Sequence, residues 1–200
     1  TRGASTPWST STRHARMVES CSGSSTSALL MVSDTMSNAP ARRGRSAGIV
    51  LWRLNGDAIE VLLGHMGGPY WARKDLGAWT IPKGEIDSGE EPLAVALREF
   101  QEELGVPVPA GELVDLDEVR QSGGKIVRAW AVEGDLDPAT AVSNTFQLEW
   151  PPGSGRMQSF PEIDRVAWFD APTARTKVVT GQRALIDRVG SRIEQTKPIN

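Results

Sequence analysis

Residues 84–106 read GEIDSGEEPLAVALREFQEELGV. At about 100° of rotation per residue, a helix through its second half places four apolar side chains in one narrow stripe: Leu93, Leu97, Phe100 and Leu104. Three acidic residues cluster on nearly the opposite side: Glu99, Glu102 and Glu103. The stretch therefore predicts a helix with one face that packs on a core and another that forms a carboxylate patch.

The carboxylate patch needs a partner of opposite charge. Like charges three or four residues apart on a helix repel one another and destabilise it. Sites rich in carboxylate oxygens suit hard cations such as Mg²⁺ or Mn²⁺, and Mg²⁺ usually binds through one or two carboxylates plus substrate phosphates. Arg98 is placed to pair with Glu102 or to reach back to Glu90, so we expect it to orient the acids. A Glu-Glu pair alone would instead suggest a solvated helix surface.

The whole stretch has a spacing that a few acids alone would not give. Gly84 is followed by five residues, Glu90, seven residues and then REFQEELGV at 98–106. This pattern resembles the Nudix box of the Nudix hydrolases at every position. The resemblance implies a Nudix α/β/α sandwich with a mixed β-sheet over residues 44–195. The Ser/Thr/Arg-rich composition of residues 1–43, without sustained periodicity, predicts a disordered tail before it.

The resemblance also implies roles for the acids. Glu102 and Glu103 match metal ligands, and Glu99 matches a further ligand or general base, for Mg²⁺ or Mn²⁺. One more acid, a ligand or base, is expected from a loop before a strand that bears a tryptophan. Glu162 fits that place best, and Glu149 is the alternative.

The residues just before and within the box are expected to shape the site. Gly84, Glu90 and Arg98 would be structural. The entry WTIPKG at 79–84 resembles enzymes that act on dinucleoside polyphosphates, which would bring Lys83 to a phosphate; an ordinary exposed lysine is the alternative.

Two further segments are candidates for substrate contacts. Tyr70 and Trp71 lie in a Gly/Pro-punctuated loop, where we expect buried anchors and consider stacking on a nucleobase as the alternative. Residues 143–160 are expected to form a long Pro/Gly-broken binding loop or lid. Arg156 within it would contact phosphate or, alternatively, only solvent.

The remaining secondary structure follows from turn and periodicity signals. Strands are predicted at 46–54 and 58–64, joined by Asn55-Gly56, and at 113–121 and 125–132, joined by Ser122-Gly123-Gly124. A strand at 163–169 and one helix over 173–193 complete the domain. Pro92 is expected at the first helical position with Glu91 as N-cap, unless a capping box begins at Ser88. Gly105 should end the helix.

Composition narrows the class of partner. The net charge of −3 and pI near 5.5 give no basic field for a nucleic-acid duplex, so we expect a small-molecule nucleotide diphosphate substrate. Cys21 is the only cysteine, and no apolar run approaches the ~20 residues of a membrane span, so a cytoplasmic protein is predicted. Met36 is a sensible start, which would leave residues 1–35 outside the native protein. The sequence does not indicate the oligomeric state.

The expected activity is Mg²⁺-dependent hydrolysis of a nucleoside diphosphate linked to another group, a nucleoside triphosphate or a dinucleoside polyphosphate such as diadenosine tetraphosphate. Two alternatives stay open. Because the box reads only the pyrophosphate and metal, the substrate could be an inositol pyrophosphate or a sugar diphosphate. A non-catalytic nucleotide-sensing module is the second alternative, which a damaged box would favour.

Overall fold

The computed structural model describes residues 44–196; the tail expected at 1–43 lies outside them. Within that range the chain forms nine β-strands and three α-helices. The strands are β1 (Arg45–Asn55), β2 (Ala58–Met66), β3 (Trp79–Thr80), β4 (Lys83–Glu85), β5 (Val114–Arg120), β6 (Ile126–Glu133), β7 (Thr145–Glu149), β8 (Met157–Pro161) and β9 (Ile163–Asp170). The helices are α1 (Pro92–Leu104), α2 (Ala171–Lys177) and α3 (Arg183–Thr196). None of these helices has the length and apolar character needed to cross a bilayer.

The main sheet is mixed and centred on β1. Its strand order is β3-β2-β1-β6-β5, with β4 also paired to β1 and β9 to β2. β1 runs parallel to β6 and antiparallel to β2 and β4. Ile49 and Leu51 share a core with α1, whereas Val50 and Trp52 share one with α2 and α3. Since both faces are covered, β1 is an almost unbroken apolar run, and the predicted α/β/α sandwich is confirmed.

The two predicted hairpins of the main sheet are present. Gly56 takes a positive φ of 60° in the turn between β1 and β2, as a tight turn at Asn-Gly requires. A single 3₁₀ turn, Ser122–Gly124, joins β5 to β6, and Gly123 has a φ of 84° there.

Helix α1 begins and ends where its sequence predicts. Pro92 is the first helical residue, and the Glu91 carboxylate accepts a hydrogen bond from the Leu93 N–H at 3.0 Å. The alternative capping box from Ser88 does not form, because Pro92 and Glu91 already set the start. Gly105 ends the helix at a φ of 74° and donates its N–H to the Gln101 carbonyl.

The single helix predicted over 173–193 is wrong. Two helices occupy the region, because the chain becomes extended at Val178, where the Val179 N–H donates to the Trp79 carbonyl at 2.8 Å. The packing face predicted for the second of them is confirmed, since Leu185, Ile186 and Val189 are buried.

The segment at 143–160 was expected to be an irregular loop, and this expectation is also wrong. β7 and β8 pair as an antiparallel hairpin in register from Thr145 opposite Pro161 to Glu149 opposite Met157. Most of its side chains are exposed or half-buried. β7 nevertheless carries the alternation of a half-buried strand, with Phe146 and Leu148 set between polar residues.

Candidate active site

The site is built where the short strand β4 leads into the loop before α1. Pairing of β4 with β1 places Gly84 opposite Ala47 and Lys83 opposite Gly48. The Lys83 N–H donates to Oε2 of Glu103 at 3.1 Å. Glu103 is only 8% exposed, so this acid of α1 points under the strand and not into bulk solvent.

Gly84 lies directly against the carboxylate of Glu99. A Cβ at position 84 would lie 1.8 Å from Cδ of Glu99 and 1.9 Å from its Oε2. Only a residue without a side chain leaves the Glu99 carboxylate in its place. The expected structural role of Gly84 thus has a direct physical basis in this contact.

Arg98 organises the exposed side of the acidic group. Its Nη1 lies 2.8 Å from Oε1 of Glu99 and 3.3 Å from Oε2 of Glu102, and its Nη2 lies 3.6 Å from Oε1 of Glu90. Both partners predicted for Arg98 are therefore present. Glu90 also accepts a hydrogen bond from the Asp87 N–H at 2.8 Å, which fixes the loop before the helix.

Burial and mutual repulsion perturb the acids. Burial above all, with added repulsion from the Glu162 and Glu99 carboxylates, raises the pKa of Glu103 to about 7 against the opposing effect of Lys83. Burial likewise raises the pKa of Glu99, and Arg98 opposes that rise. Burial also lowers the pKa of Lys83, although Glu103 acts in the other direction. Burial thus favours the protonated form of both acids over the charged form.

The structure separates the two candidates for the additional acid. Glu162, between β8 and β9, acts electrostatically on Glu99, Glu103 and Lys83. Glu149 instead accepts a hydrogen bond from the Gly155 N–H at 2.6 Å, which closes the end of the β7–β8 hairpin. Of the two candidates, Glu162 is the one whose charge acts on Glu99 and Glu103.

The acids of α1 and Glu162 are the candidate metal ligands. In residues 44–196 no group of three or more His, Cys, Asp or Glu side chains is arranged to hold a metal ion, and the acids of α1 instead contact Arg98 and the Lys83 N–H. The donor set is nevertheless all oxygen, with Glu103 buried and Glu99 half-buried beside β4. This chemistry fits a hard divalent cation once these side chains turn from their protein partners.

The expected substrate contacts are spread over three segments. Lys83 is half-buried beside the acids. Trp71 is half-buried against the core, and Lys74 Nζ lies 4.4 Å from its ring centroid. Tyr70 is 54% exposed, so the expectation of a buried anchor is wrong for this residue. Arg156 is exposed near the end of the β7–β8 hairpin.

A buried histidine that the sequence did not single out fixes the loop carrying Tyr70 and Trp71. His65 is fully buried; its Nε2 donates to the Lys74 carbonyl at 2.8 Å, and its Nδ1 lies 2.6 Å from Oδ1 of Asp164. Asp164 follows Glu162 by two residues, so this contact ties the loop to the segment that carries the additional acid. Only the fold reveals it, because Asp164 is 99 residues away along the chain.

A separate cavity of about 600 Å³ lies on the other side of the sheet. Trp52, Val114 and Val189 line it with Glu112 and Glu133. None of the acids of the box contributes to it. The candidate active site is the acidic group at the Lys83–Glu85 strand, apart from this cavity.

The α/β/α sandwich thus sets carboxylates of one helix, α1, against the short strand β4 that carries Gly84. A family model described as the NUDIX domain matches residues 42–189. The chain belongs to the Nudix family.

Individual relatives agree with the family but differ in coverage. A Sus scrofa protein named bis(5'-nucleosyl)-tetraphosphatase [asymmetrical] is 35% identical over 117 residues, which cover 52% of this chain and 74% of that protein. A Myxococcus xanthus protein named octanoyltransferase is 35% identical over 98 residues, which cover 49% of this chain but only 24% of that protein. A solved C. elegans Ap4A hydrolase binary complex superposes with a TM-score of 0.53 at 20% identity, covering 75% of this chain and 98% of that one. The last likeness supports the fold alone.

Proposed function

We propose that this Nudix protein hydrolyses the pyrophosphate linkage of a nucleoside diphosphate joined to another group, a nucleoside triphosphate or a dinucleoside polyphosphate, with Mg²⁺ as cofactor. The observation that carries the proposal is the contact of two acids of α1 with β4: Glu103 accepts from the Lys83 N–H at 3.1 Å, and the Glu99 carboxylate lies directly against Gly84. The Sus scrofa relative, named as a tetraphosphatase of bis(5'-nucleosyl) compounds, supports a dinucleoside polyphosphate as the substrate class.

In this proposal the acids of α1 have separate tasks. Glu102 and Glu103 would hold the cation, with Glu99 and Glu162 as further ligands or as the base. A bound Mg²⁺ supplies Lewis-acid neutralisation of charge on the pyrophosphate oxygens. The oxygen of a water molecule bonds to phosphorus, the bridging P–O bond breaks, and the water proton passes to a carboxylate of Glu99 or Glu162.

The cationic residues would position the acids and the phosphate chain. Arg98 holds Glu99 and Glu102 until a cation competes for them. Lys83 is half-buried beside the acids, where its ammonium group would meet a phosphate oxygen. A reducing compartment such as the cytoplasm suits a chain with a single cysteine.

A substrate panel tests the proposal. The chain is assayed with Mg²⁺ against diadenosine tetraphosphate, nucleoside triphosphates, ADP-ribose, a sugar diphosphate and an inositol pyrophosphate, and products are identified by chromatography. Turnover of the nucleotides with release of a nucleotide and a phosphate-bearing product supports the proposal. Turnover confined to the sugar or inositol compounds overturns the nucleotide assignment, and tight binding without turnover identifies a sensing module.

A further inference from the structure

An exposed aromatic pair stands at the end of the β7–β8 hairpin. The rings of Tyr70 and Trp150 meet edge to face, with centroids 5.2 Å apart and planes at 83°. Tyr70 is 54% exposed and Trp150 is half-buried. An edge-to-face pair leaves flat ring surface uncovered on at least one partner, so this corner offers a stacking surface to a planar group.

The pair is tied to the segment that carries Glu162. The Gly67 N–H donates to the Glu162 carbonyl at 2.8 Å, and the Glu162 N–H donates to the Asn144 carbonyl at 2.9 Å. Tyr70 follows Gly67 by three residues, so its Cα lies within about 11 Å of the Cα of Gly67. Gly68 also packs on the hairpin, since a Cβ there would lie 3.0 Å from Cζ of Phe146.

The backbone of Trp150 is fixed within the hairpin. Its N–H donates to the Arg156 carbonyl at 2.9 Å, and its own carbonyl accepts from Nε2 of Gln158 at 2.9 Å. Arg156 therefore lies directly across the hairpin from Trp150. In the part of the chain that the structure describes, the Arg156 guanidinium has no ion-pair or hydrogen-bond partner. The aromatic pair and the Arg156 guanidinium thus occur together at this end of the β7–β8 hairpin.

We propose that Tyr70 and Trp150 form a nucleoside clamp, which stacks a nucleobase of the substrate while Arg156 binds the adjoining phosphate or ribose oxygens. This inference rests on the proposed function and deepens it, because it assigns a recognition element to the group beyond the pyrophosphate. Every nucleobase presents a π-face to an aromatic side chain. The clamp therefore selects nucleotides over bare polyphosphates without selecting one particular base.

Two ligands with the same number of phosphates isolate the contribution of the base. Dissociation constants are measured by calorimetry with Mg²⁺ for a methylene-bridged diadenosine tetraphosphate, which resists hydrolysis, and for inorganic tetraphosphate, which has no nucleoside. Tyr70→Ala and Trp150→Ala are compared with the native chain. Tyr70→Phe and Trp150→Phe keep a ring, and Leu76→Ala changes a side chain of the same loop that is 71% exposed.

Each alanine variant should weaken the diadenosine ligand by about 5- to 150-fold, the loss of one base–aromatic stack. The affinity for inorganic tetraphosphate should stay within about twofold, and the phenylalanine variants should retain most of the diadenosine affinity. Leu76→Ala should bind both ligands like the native chain.

The clamp is refuted if the alanine variants weaken both ligands equally, leave both unchanged, or if the native chain binds the two ligands with the same affinity. Because binding is measured without turnover, this outcome is separate from that of the substrate panel. A chain that hydrolyses diadenosine tetraphosphate but is insensitive at Tyr70 and Trp150 keeps the proposed function and loses the clamp. Base-dependent binding without turnover on the panel keeps the clamp and loses the hydrolase proposal.

Discussion

The contact between Gly84 and Glu99 allows a minimal perturbation of the site. Gly84→Ala adds one methyl group and no charge, at a position of ordinary strand conformation in β4. The added Cβ would lie 1.8 Å from Cδ of Glu99, whereas ordinary contacts of this kind begin at 3.4 Å. The Glu99 carboxylate must therefore move by about 1.6 Å, the difference between 1.8 Å and 3.4 Å.

A displacement of that size has a predictable kinetic cost. Misplacing a catalytic group by about 1 Å can slow a reaction by about 100-fold, which corresponds to about 2.7 kcal/mol in the activation barrier. We therefore expect kcat of Gly84→Ala to fall by about 100-fold. The melting temperature should change little, because the atoms that must give way are the end of a flexible side chain and not the backbone.

The assay is steady-state hydrolysis of the best substrate of the panel with saturating Mg²⁺, beside a thermal melt of each variant. Gly190→Ala in α3 is the matched control, since its added Cβ meets nothing closer than Ile59 Cδ1 at 4.0 Å. That control should retain native turnover. Native turnover in Gly84→Ala would show that the position of the Glu99 carboxylate over the turn has no part in the reaction.

Three further predictions address other parts of the molecule. Glu162→Gln should lower kcat at least tenfold while Glu149→Gln stays within twofold, because Glu162 acts on the box acids and Glu149 closes a hairpin; the reverse order would contradict this assignment. Gln182→Leu should lower the free energy of unfolding by about 1–3 kcal/mol in urea titrations, because the buried amide oxygen that accepts from the N–H of residue 81 is lost; an unchanged midpoint would show that the bond is not needed. Hydrogen bonds from Thr173, in the first turn of α2, lower the pKa of Asp170. The stability that the charged Asp170 adds to the folded protein is therefore complete above the unfolded pKa of about 4, and it is lost as pH falls through the lower folded pKa. Asp170→Ala should thus melt below the native chain at pH 7, and the difference should shrink below about pH 4; a difference that grows in acid would reverse the inferred sign.

Local chemistry made part of the fold predictable. Pro92 and Gly105 mark the ends of α1 because one lacks an N–H and the other accepts a positive φ. Asn55-Gly56 marks the first hairpin for a similar reason. The pairing of Arg98 with Glu102 also followed from spacing, since residues at i and i+4 meet on a helix.

Long-range contacts explain what the sequence could not predict. Ala174 and Val178 are buried at helical spacing, so α2 and α3 read as one helix, although the bond from Val179 to Trp79 breaks it. The β7–β8 hairpin was missed although β7 alternates polar and apolar residues, because the Pro- and Gly-rich residues 151–155 between the strands indicate a loop. Trp150 was not singled out from the sequence, because its partner Tyr70 lies in a distant loop and only the fold brings the two rings together.

The Mg²⁺ dependence of turnover in Glu103→Gln tests whether the acids of α1 hold the cation. Glutamine keeps the volume of Glu103 and an oxygen that accepts from the Lys83 N–H, so the variant should fold with an unchanged or higher melting temperature. It removes the negative charge proposed to hold the cation, and we expect Mg²⁺-dependent turnover to fall by about 100-fold or more. A folded Glu103→Gln protein with native turnover and native Mg²⁺ dependence would show that Glu103 does not hold the cation.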